Sequence, residues 1–279
     1  MTIKDTQKEF AYSREDFERV RQRLLTLAGI KLADSKDAMV YSRLVRRLRT
    51  LGLDSFDSYL KYLKKTPAEE QLFINALTTN LTAFFRESHH FTALTEYLRQ
   101  NRRVKTIWCA ASSTGEEPYS IAMTVAQALG TFTPGISIVA SDIDSSVLAK
   151  ARTGIYNSDA VAKLPLDICK QFFHRGKGKH ADKVKVVDEI RKMVQFRQIN
   201  LLADNWPVRG PIDILFCRNV MIYFDRATQL KILQKMVALM PPESRYFAGH
   251  SENFGHASSL ITPLGQTIYR PAYGIRNAF

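Results

Sequence analysis

The pattern of apolar residues changes near Asn101, and this change constrains the fold more than any other feature of the sequence. Before it, apolar residues such as Phe17, Val20 and Leu24 recur at spacings of three and four, which is typical of amphipathic helices. After it, short β-rich apolar runs alternate with helix-like stretches. This alternation favours a parallel, doubly wound α/β sheet with crossover helices, preceded by a helical domain.

Individual elements follow from the same pattern. Strands are predicted at 104–110, 136–141 and 212–217, with helices at 116–129 and 225–239. Between 151 and 200 the alternation is interrupted by a Gly-flanked turn and by alternating apolar residues, namely Val184, Val186, Val194 and Phe196. These features predict a small antiparallel hairpin or three-stranded insert. A closing hairpin is expected at 260–271, and Ser13 with Asp16 resembles a capping box.

The composition excludes several classes of protein. The 279 residues are 45% hydrophobic and 24% charged, which rules out a disordered or fibrous chain. No apolar run approaches the roughly 18 residues of a membrane span, and the polar N-terminus resembles no secretory signal. A cytoplasmic protein without membrane insertion is therefore expected. The three cysteines, Cys109, Cys169 and Cys217, lie too far apart for a zinc or disulfide framework and are expected to be buried or inert.

The net charge of +13 indicates an acidic partner, which could be nucleic acid, anionic lipid or an acidic protein surface. Arg43 and Arg47 are spaced so that they share one face of a predicted helix. That face could be merely solvated or could bind the partner. The histidine pairs lack further ligands at metal spacing, so no metal site is expected.

Polar residues follow the predicted strands, where a doubly wound sheet binds its ligand. Asp142 is placed to accept hydrogen bonds from ribose hydroxyls, whereas Asp144 is explained more simply as a helix N-cap. Asn200 and Asn219 follow two other strands, and their amides suit an adenine edge or an amino-acid head group, although isolated asparagines also form turns.

The loop after the first strand reads Ala110-Ala-Ser-Ser-Thr-Gly-Glu-Glu-Pro-Tyr119 and lacks the glycine patterns that hold pyrophosphate or triphosphate. Glu116 and Glu117 suit a positively charged ligand, although acids are also common in the first turn of a helix. Thr114 with Glu117, or Ser113 with Glu116, is expected to cap the helix that follows.

Five longer blocks of sequence, in this order, resemble the CheR-type bacterial chemoreceptor glutamate methyltransferases. They are Ala76-Leu-Thr-Thr-Asn-Leu-Thr-Ala-Phe-Phe-Arg-Glu87, Ser113-Thr-Gly-Glu-Glu-Pro-Tyr-Ser120, Ser141-Asp-Ile-Asp144, Phe216-Cys-Arg-Asn-Val-Met-Ile-Tyr-Phe224 and Gly249-His-Ser-Glu-Asn253. The resemblance implies a Rossmann-like S-adenosylmethionine-dependent methyltransferase domain, a helical N-terminal domain and a small inserted antiparallel β-subdomain. The corresponding ranges would be 1–90 for the helical receptor-docking domain, 91–279 for the catalytic domain and 156–198 for the insert.

The same resemblance implies transfer of a methyl group from S-adenosylmethionine to glutamates on the cytoplasmic helices of a chemoreceptor, leaving S-adenosylhomocysteine. The cofactor would be contacted by Asn80, Thr82, Arg86, Glu117, Asp142, Asn200, Leu201, Arg218 and Asn219. Arg86 and Tyr223 would lie nearest the transferred methyl. A glutamate has a reference pKa of about 4.3, so the acceptor is already ionised at pH 7 and needs no general base.

Two regions are implied to bind the receptor. Arg43 and Arg47 would contact its acidic methylation helices, while Arg175, Gly176 and Lys185 of the insert resemble the region by which some family members bind a receptor C-terminal pentapeptide through strand addition. A solvated hairpin is the alternative for the insert. No feature of the sequence requires more than a monomer.

Two alternative functions fit parts of the sequence. A nucleic-acid methyltransferase would suit the basic charge, but its amino-methylating members have Pro-Pro-aromatic after the Asn or Asp, and Val220, Met221 and Ile222 follow Asn219 here. A noncatalytic receptor-binding adaptor would have no need of Arg86, Glu117, Asp142 and Tyr223 together. Both are therefore disfavoured.

Overall fold

The computed structural model describes residues 9–272, and the chain divides into two units, Met1–Thr79 and Asn80–Phe279. The first unit is helical, as predicted. Its helices are α1 (Arg14–Ala28), α2 (Asp37–Leu51), α3 (Phe56–Lys65) and α4 (Pro67–Leu77). The helical domain predicted from the sequence extends to residue 90, whereas the second unit begins at Asn80.

Local sequence signals set the ends of α1. The Ser13 hydroxyl accepts a hydrogen bond from the Asp16 N–H at 3.1 Å, and the Asp16 carboxylate accepts one from the Ser13 N–H at 2.9 Å. This reciprocal pair confirms the predicted capping box. The helix ends at Gly29, which adopts the left-handed conformation that glycine tolerates best.

The second unit contains a seven-stranded sheet and a three-stranded sheet. Its strands are β1 (Thr106–Ala110), β2 (Ser137–Asp142), β3 (Ile155–Asn157), β4 (Phe173–Arg175), β5 (Lys183–Val186), β6 (Val194–Gln198), β7 (Ile214–Cys217), β8 (Arg245–Ala248), β9 (Ile261–Gly265) and β10 (Ile268–Pro271). Its helices are α5 (His89–Gln100), α6 (Glu116–Leu129), α7 (Ser145–Thr153), α8 (Leu166–Phe172), α9 (Asp188–Lys192) and α10 (Arg226–Ala238). The strands and helices predicted after Asn101 are all present, within two residues at each end.

The large sheet has the order β6-β2-β1-β7-β8-β10-β9, and its first five strands are parallel. Successive residues of β1 point to opposite faces: Ile107 and Cys109 belong to one apolar cluster, and Trp108 and Ala110 belong to the other. Both faces of the sheet are therefore buried, which is the doubly wound arrangement that the sequence predicted.

The small sheet has the order β3-β5-β4 and is antiparallel. Of the two predicted forms, a hairpin or a three-stranded insert, the structure has the three-stranded one. Val194 and Phe196, which the sequence pattern grouped with this insert, instead lie in β6 and pair in parallel with β2. β6 is the edge strand of the large sheet, and only part of its surface is buried. A strand in that position shows the alternating pattern that otherwise marks an antiparallel hairpin.

The predicted closing hairpin is formed by β9 and β10, with Gln266 and Thr267 at its turn. It extends the large sheet because β10 pairs with β8. Within residues 9–272, no helix combines the length and the apolar character needed to cross a membrane.

Candidate active site

The predicted site residues of the second unit gather at the carboxyl edge of the large sheet. Asp142 ends β2, Asn200 follows β6, and Arg218 follows β7. β2 and β7 flank β1 in register, with Ala110 opposite both Ser141 and Cys217, and β6 pairs with the outer side of β2. The side chains that follow them therefore line one edge, where ligands of doubly wound sheets bind.

Asp142 is fixed by backbone donors. Its carboxylate accepts hydrogen bonds from the Ser113 N–H at 2.8 Å and the Asp144 N–H at 2.9 Å. Burial raises the pKa of Asp142 to about 6, and these backbone hydrogen bonds act in the opposite direction. Each carboxylate oxygen retains further acceptor capacity, so the group can receive hydroxyl donors from a ligand.

Asn80 is joined to the same part of the site. Its side-chain amide donates to Asp144 Oδ2 at 2.8 Å, and its backbone carbonyl oxygen accepts from the Ser113 hydroxyl at 2.9 Å. Asp144 also accepts from the N–H groups of Ser146 and Val147, so it is the N-cap of α7 as predicted. Its bond to Asn80, 64 residues away, had no sequence signal.

Asn200 and Leu201 lie beyond β6, next to Asp142. The Ile199 N–H donates to the Asp142 carbonyl at 2.9 Å, which holds the two strand ends together. The Asn200 side-chain oxygen accepts from the Leu202 N–H at 2.9 Å, while Leu201 is buried. Asn200 thus forms a local turn, which was one of the two roles predicted for it from the sequence, the other being contact with a ligand.

A second network is centred on Arg218, whose side chain is fully buried. Its guanidinium donates to Glu117 at 2.7 Å and to the Arg86 carbonyl oxygen at 2.6 Å, and it lies 3.1 Å from Glu87. Asn219 donates to the other oxygen of Glu87 at 3.3 Å. Four of the predicted cofactor residues are therefore brought together, and Glu87, which was not predicted, links two of them.

Burial and the Arg218 charge set the ionisation of the two glutamates in this network. Burial raises the pKa of Glu117, and the Arg218 charge opposes that rise. For Glu87, burial also opposes ionisation, but the Arg218 charge and several hydrogen bonds outweigh it and lower the pKa. The buried Arg218 cation therefore offsets part of the negative charge of the two glutamates.

Arg86 and Thr82 lie in the segment that precedes α5, and both are half-buried. The Arg86 guanidinium donates to the Leu81 carbonyl oxygen at 2.9 Å, so it turns back on its own segment. The neighbouring residues Phe85 and Glu87 have φ values of 52° and 57°, in the left-handed region that most residues avoid. This strained backbone is held in place, since the Phe85 N–H donates to the Ser120 hydroxyl at 2.9 Å.

Tyr223 lies on a one-turn helix, Met221–Tyr223, that follows β7. The buried Glu252 fixes the start of that turn by accepting hydrogen bonds from Val220 N–H at 2.9 Å and Met221 N–H at 2.8 Å. It also accepts from the Gly249 N–H. Sequence reasoning assigned Glu252 no role, although it lies within one of the quoted blocks.

One predicted detail of α6 is wrong. The residue at its N-cap is Gly115, which makes no side-chain capping bond. Thr114 donates to Glu116 at 2.6 Å instead, and Glu117 faces Arg218. The buried ion pair draws Glu117 away from the helix end, where it would have formed a capping box.

His89, His90 and Glu87 have potential ligand atoms within 4.8 Å of one another. However, Glu87 already faces the Arg218 guanidinium, which disfavours a second cation. His90 Nε2 lies 3.0 Å from the Gln266 carbonyl oxygen, and burial together with the Arg218 charge lowers the pKa of His90 to about 4. These contacts give His90 a packing role that joins α5 to the closing hairpin.

The residues predicted to bind a receptor belong to the helical unit and to the small sheet. Within the helical unit, Arg43 donates to the Ala76 and Thr78 carbonyl oxygens at 3.3 and 2.6 Å, and Arg47 pairs with the buried Glu69 at 2.7 Å. In the small sheet, Arg175 ends the edge strand β4 and is exposed. The Gly176 N–H donates to the Lys183 carbonyl oxygen at 2.9 Å, and Lys185 on the central strand lies 3.4 Å from Asp188.

The acceptor groups at the carboxyl edge fit a nucleoside-bearing ligand: a carboxylate at the end of β2 suits ribose hydroxyls, and amides follow β6 and β7. Residues 80–270 match the family model described as the CheR methyltransferase SAM binding domain. Fold, site and this match define an S-adenosylmethionine-dependent methyltransferase.

The rest of the chain specifies the family. Residues 15–78 match the model described as the CheR methyltransferase all-alpha domain. Chemotaxis protein methyltransferase 2 of Pseudomonas aeruginosa is 57% identical over 268 residues, covering 95% of this chain and 96% of that protein. Chemotaxis protein methyltransferase of Escherichia coli is 50% identical over 264 residues, covering 94% and 92%. The chain belongs to the CheR family and is a methyltransferase of chemotaxis, as the resemblance implied.

Proposed function

We propose that the protein methylates glutamate side chains on the cytoplasmic helices of a chemoreceptor and forms glutamyl methyl esters there. The observation that carries the proposal is the similarity over nearly the whole chain to proteins named chemotaxis protein methyltransferase. A receptor substrate of this kind makes the protein cytoplasmic, and its activity requires no second copy of the chain.

The predicted site residues would bind different parts of S-adenosylmethionine. Asp142 would accept hydrogen bonds from the ribose hydroxyls, and Asn80, Thr82, Asn200 and Leu201 would line the nucleoside part of the cofactor site. The Arg218–Glu117 pair, with Asn219, would act as one unit toward the amino-acid part. When bound, S-adenosylmethionine supplies an electrophilic methyl group on a sulfonium, and its transfer to a carboxylate oxygen leaves S-adenosylhomocysteine.

Positioning rather than acid–base chemistry would then set the rate, because the acceptor glutamate is already ionised at neutral pH. The Tyr223 hydroxyl would orient the acceptor carboxylate, and Arg86 would lie beside cofactor and acceptor. The turn that carries Tyr223 is anchored by Glu252, which supports a fixed hydroxyl position.

Two surfaces would bind the receptor. Arg43 and Arg47 would contact the acidic methylation helices, although each guanidinium also makes bonds within the helical unit. Arg175, Gly176 and Lys185 would bind a C-terminal receptor pentapeptide. The edge position of β4 supports strand addition, because an edge strand has unpaired backbone groups on one side.

The test is transfer of labelled methyl from S-adenosylmethionine to a chemoreceptor cytoplasmic fragment. Label that enters the fragment and is released by mild base would identify glutamyl esters. The matched control is the same fragment with its methylation-site glutamates replaced by alanine, which should take up no label. Equal labelling of both fragments, or base-stable label, would contradict the proposal.

A further inference from the structure

A pocket of about 600 Å³ lies beside the turn that carries Tyr223. One wall is formed by Met221 and Ile222 of that turn, and another by Arg226 at the start of α10. The third wall is the 251–256 loop that follows β8.

The order of the strands places the pocket beyond the residues that are expected to bind the cofactor. The ribose-binding candidate Asp142 follows β2, and Asn219 follows β7, two strands further along the sheet. The pocket lies one strand beyond, where the ends of β7 and β8 meet with Cys217 opposite Ala248. An acceptor must approach the methyl group from the side opposite sulfur, in line with the bond that breaks. Gly249, which follows β8, packs closely against Asn219, so the 251–256 loop beyond it forms the wall of the pocket.

The charge of the pocket is set by Arg226. Of its lining residues, Glu252 is also charged, but that carboxylate is only 5% exposed and is held by three N–H groups of the protein itself. Arg226 is exposed. Ile222 is 50% exposed beside it. A cation next to an exposed aliphatic side chain suits an amphipathic, acidic segment of protein.

The turn that carries Tyr223 is joined to the start of the helix that carries Arg226. The Gln229 side-chain amide donates to the Met221 carbonyl oxygen at 2.9 Å and to the Phe224 carbonyl oxygen at 3.1 Å. These bonds tie the turn to the first turn of α10, which carries Arg226. The turn that carries Tyr223 and the helix end that carries Arg226 therefore form one unit, and a receptor helix that contacts one is close to the other.

We propose that this pocket binds the methyl-accepting receptor helix next to the acceptor glutamate. Arg226 pairs with an acidic side chain about one helical turn from the acceptor, and Ile222 contacts the apolar face of the same helix. The inference rests on the proposed function and adds to it the determinant that selects which glutamates are reached.

The test uses the full chain and a chemoreceptor cytoplasmic fragment. Arg226→Glu should raise KM for the fragment about tenfold, because it places like charges together, while the affinity for S-adenosylhomocysteine stays within about twofold. Arg226→Lys keeps the positive charge and should therefore leave KM for the fragment close to the unsubstituted value. The matched control is Arg209→Glu, which makes the same charge change at an exposed position in the loop that leads to the amino end of β7. That control should leave KM within about twofold of the unsubstituted value.

Exchanging the charges of Arg226 and its receptor partner would test whether the two residues contact each other directly. Fragments in which single acidic residues near a methylation site are replaced by lysine should include one that is methylated better by the Arg226→Glu variant than by the unsubstituted protein. Equal KM changes in the Arg226 and Arg209 variants, or a parallel loss of S-adenosylhomocysteine affinity, would overturn the inference. Failure of the unsubstituted protein to methylate the fragment would instead overturn the proposed function, and this inference with it.

Discussion

Arg218 and Glu117 form a buried ion pair with 2.7 Å between Nη1 and Oε2. The pair joins the end of β7 to the first turn of α6, and the same guanidinium holds the Arg86 carbonyl oxygen. Three segments of the candidate site are thus fixed by one side chain. Without the Arg218 guanidinium, the buried carboxylates of Glu87 and Glu117 would lose their positively charged partner.

Replacing Arg218 with methionine should therefore destabilise the protein. Removing one partner of a buried pair typically costs about 3–5 kcal/mol, because the remaining charge is buried without compensation. Adding Glu117→Gln to the variant should recover part of the loss. Urea unfolding would measure both changes, with Arg209→Met as an exposed control. A loss below about 1 kcal/mol would show that the pair contributes little to folding.

Replacing Tyr223 with phenylalanine should lower kcat by roughly 10- to 100-fold, the value of a hydrogen bond to a carboxylate. The affinity for S-adenosylhomocysteine should change little, because the hydroxyl is expected to orient the acceptor. Steady-state kinetics and calorimetry separate the two effects. Tyr62→Phe, at an exposed position of α3, is the control. Equal losses of turnover and cofactor affinity would exclude this role for Tyr223.

The affinity for S-adenosylhomocysteine should fall as the pH drops through about 6. The pKa of Asp142 is raised to about 6, mainly by burial, and only the ionised carboxylate accepts freely from ribose hydroxyls. Hydroxyl donors favour the ionised form, so affinity is full above this pH and declines by up to about tenfold per pH unit below it. Calorimetry between pH 5 and pH 8 would measure this. Asp142→Asn should bind weakly at every pH, and an unchanged pH profile in that variant would refute the assignment.

Replacing Glu252 with glutamine should loosen the turn that carries Tyr223. A neutral amide has one oxygen where the carboxylate has two, so at least one of the three N–H groups loses its acceptor, at a cost of about 1–3 kcal/mol. We expect kcat to fall more than cofactor affinity. Glu243→Gln, an exposed change before β8, is the comparison. A stability loss with kcat intact would limit Glu252 to a structural role.

Reversing the charge of Arg47 should destabilise the helical unit as well as weaken receptor methylation, because Glu69 is 3% exposed and Arg47 is its ion-pair partner. Arg46→Glu changes the same charge on the exposed side of α2 and should leave stability within about 0.5 kcal/mol. Thermal unfolding and methylation assays of both variants separate docking from folding. Full stability of Arg47→Glu would mean that the ion pair is dispensable.

Local signals in the sequence were sufficient where a few neighbouring residues decide the structure. Ser13 and Asp16 mark the start of α1, Asp144 caps α7, and the apolar runs mark β1, β2 and β7. Each of these features depends on residues within a few positions of one another, so periodicity and capping chemistry predict it.

Contacts between distant segments could not be predicted in this way. Arg218 and Glu117 are 101 residues apart, and Glu252 reaches back about 30 residues to the turn after β7. The burial of Glu69 against Arg47 likewise depends on two different helices. Such pairings follow from tertiary packing. The family resemblance identified Arg218, Glu117 and Arg47 without showing what they contact, and it gave Glu252 and Glu69 no role.

The closing hairpin, β9 and β10, contacts segments that border the site although it lies late in the sequence. His90 Nε2 lies near the Gln266 carbonyl oxygen, and Thr267 exchanges hydrogen bonds with Ala248, three residues before the 251–256 loop. Because a ribosome makes the chain from its N-terminus, these partners emerge about 180 residues after the segment that carries Arg86. The nascent chain therefore cannot complete its active edge before the closing hairpin has been synthesised.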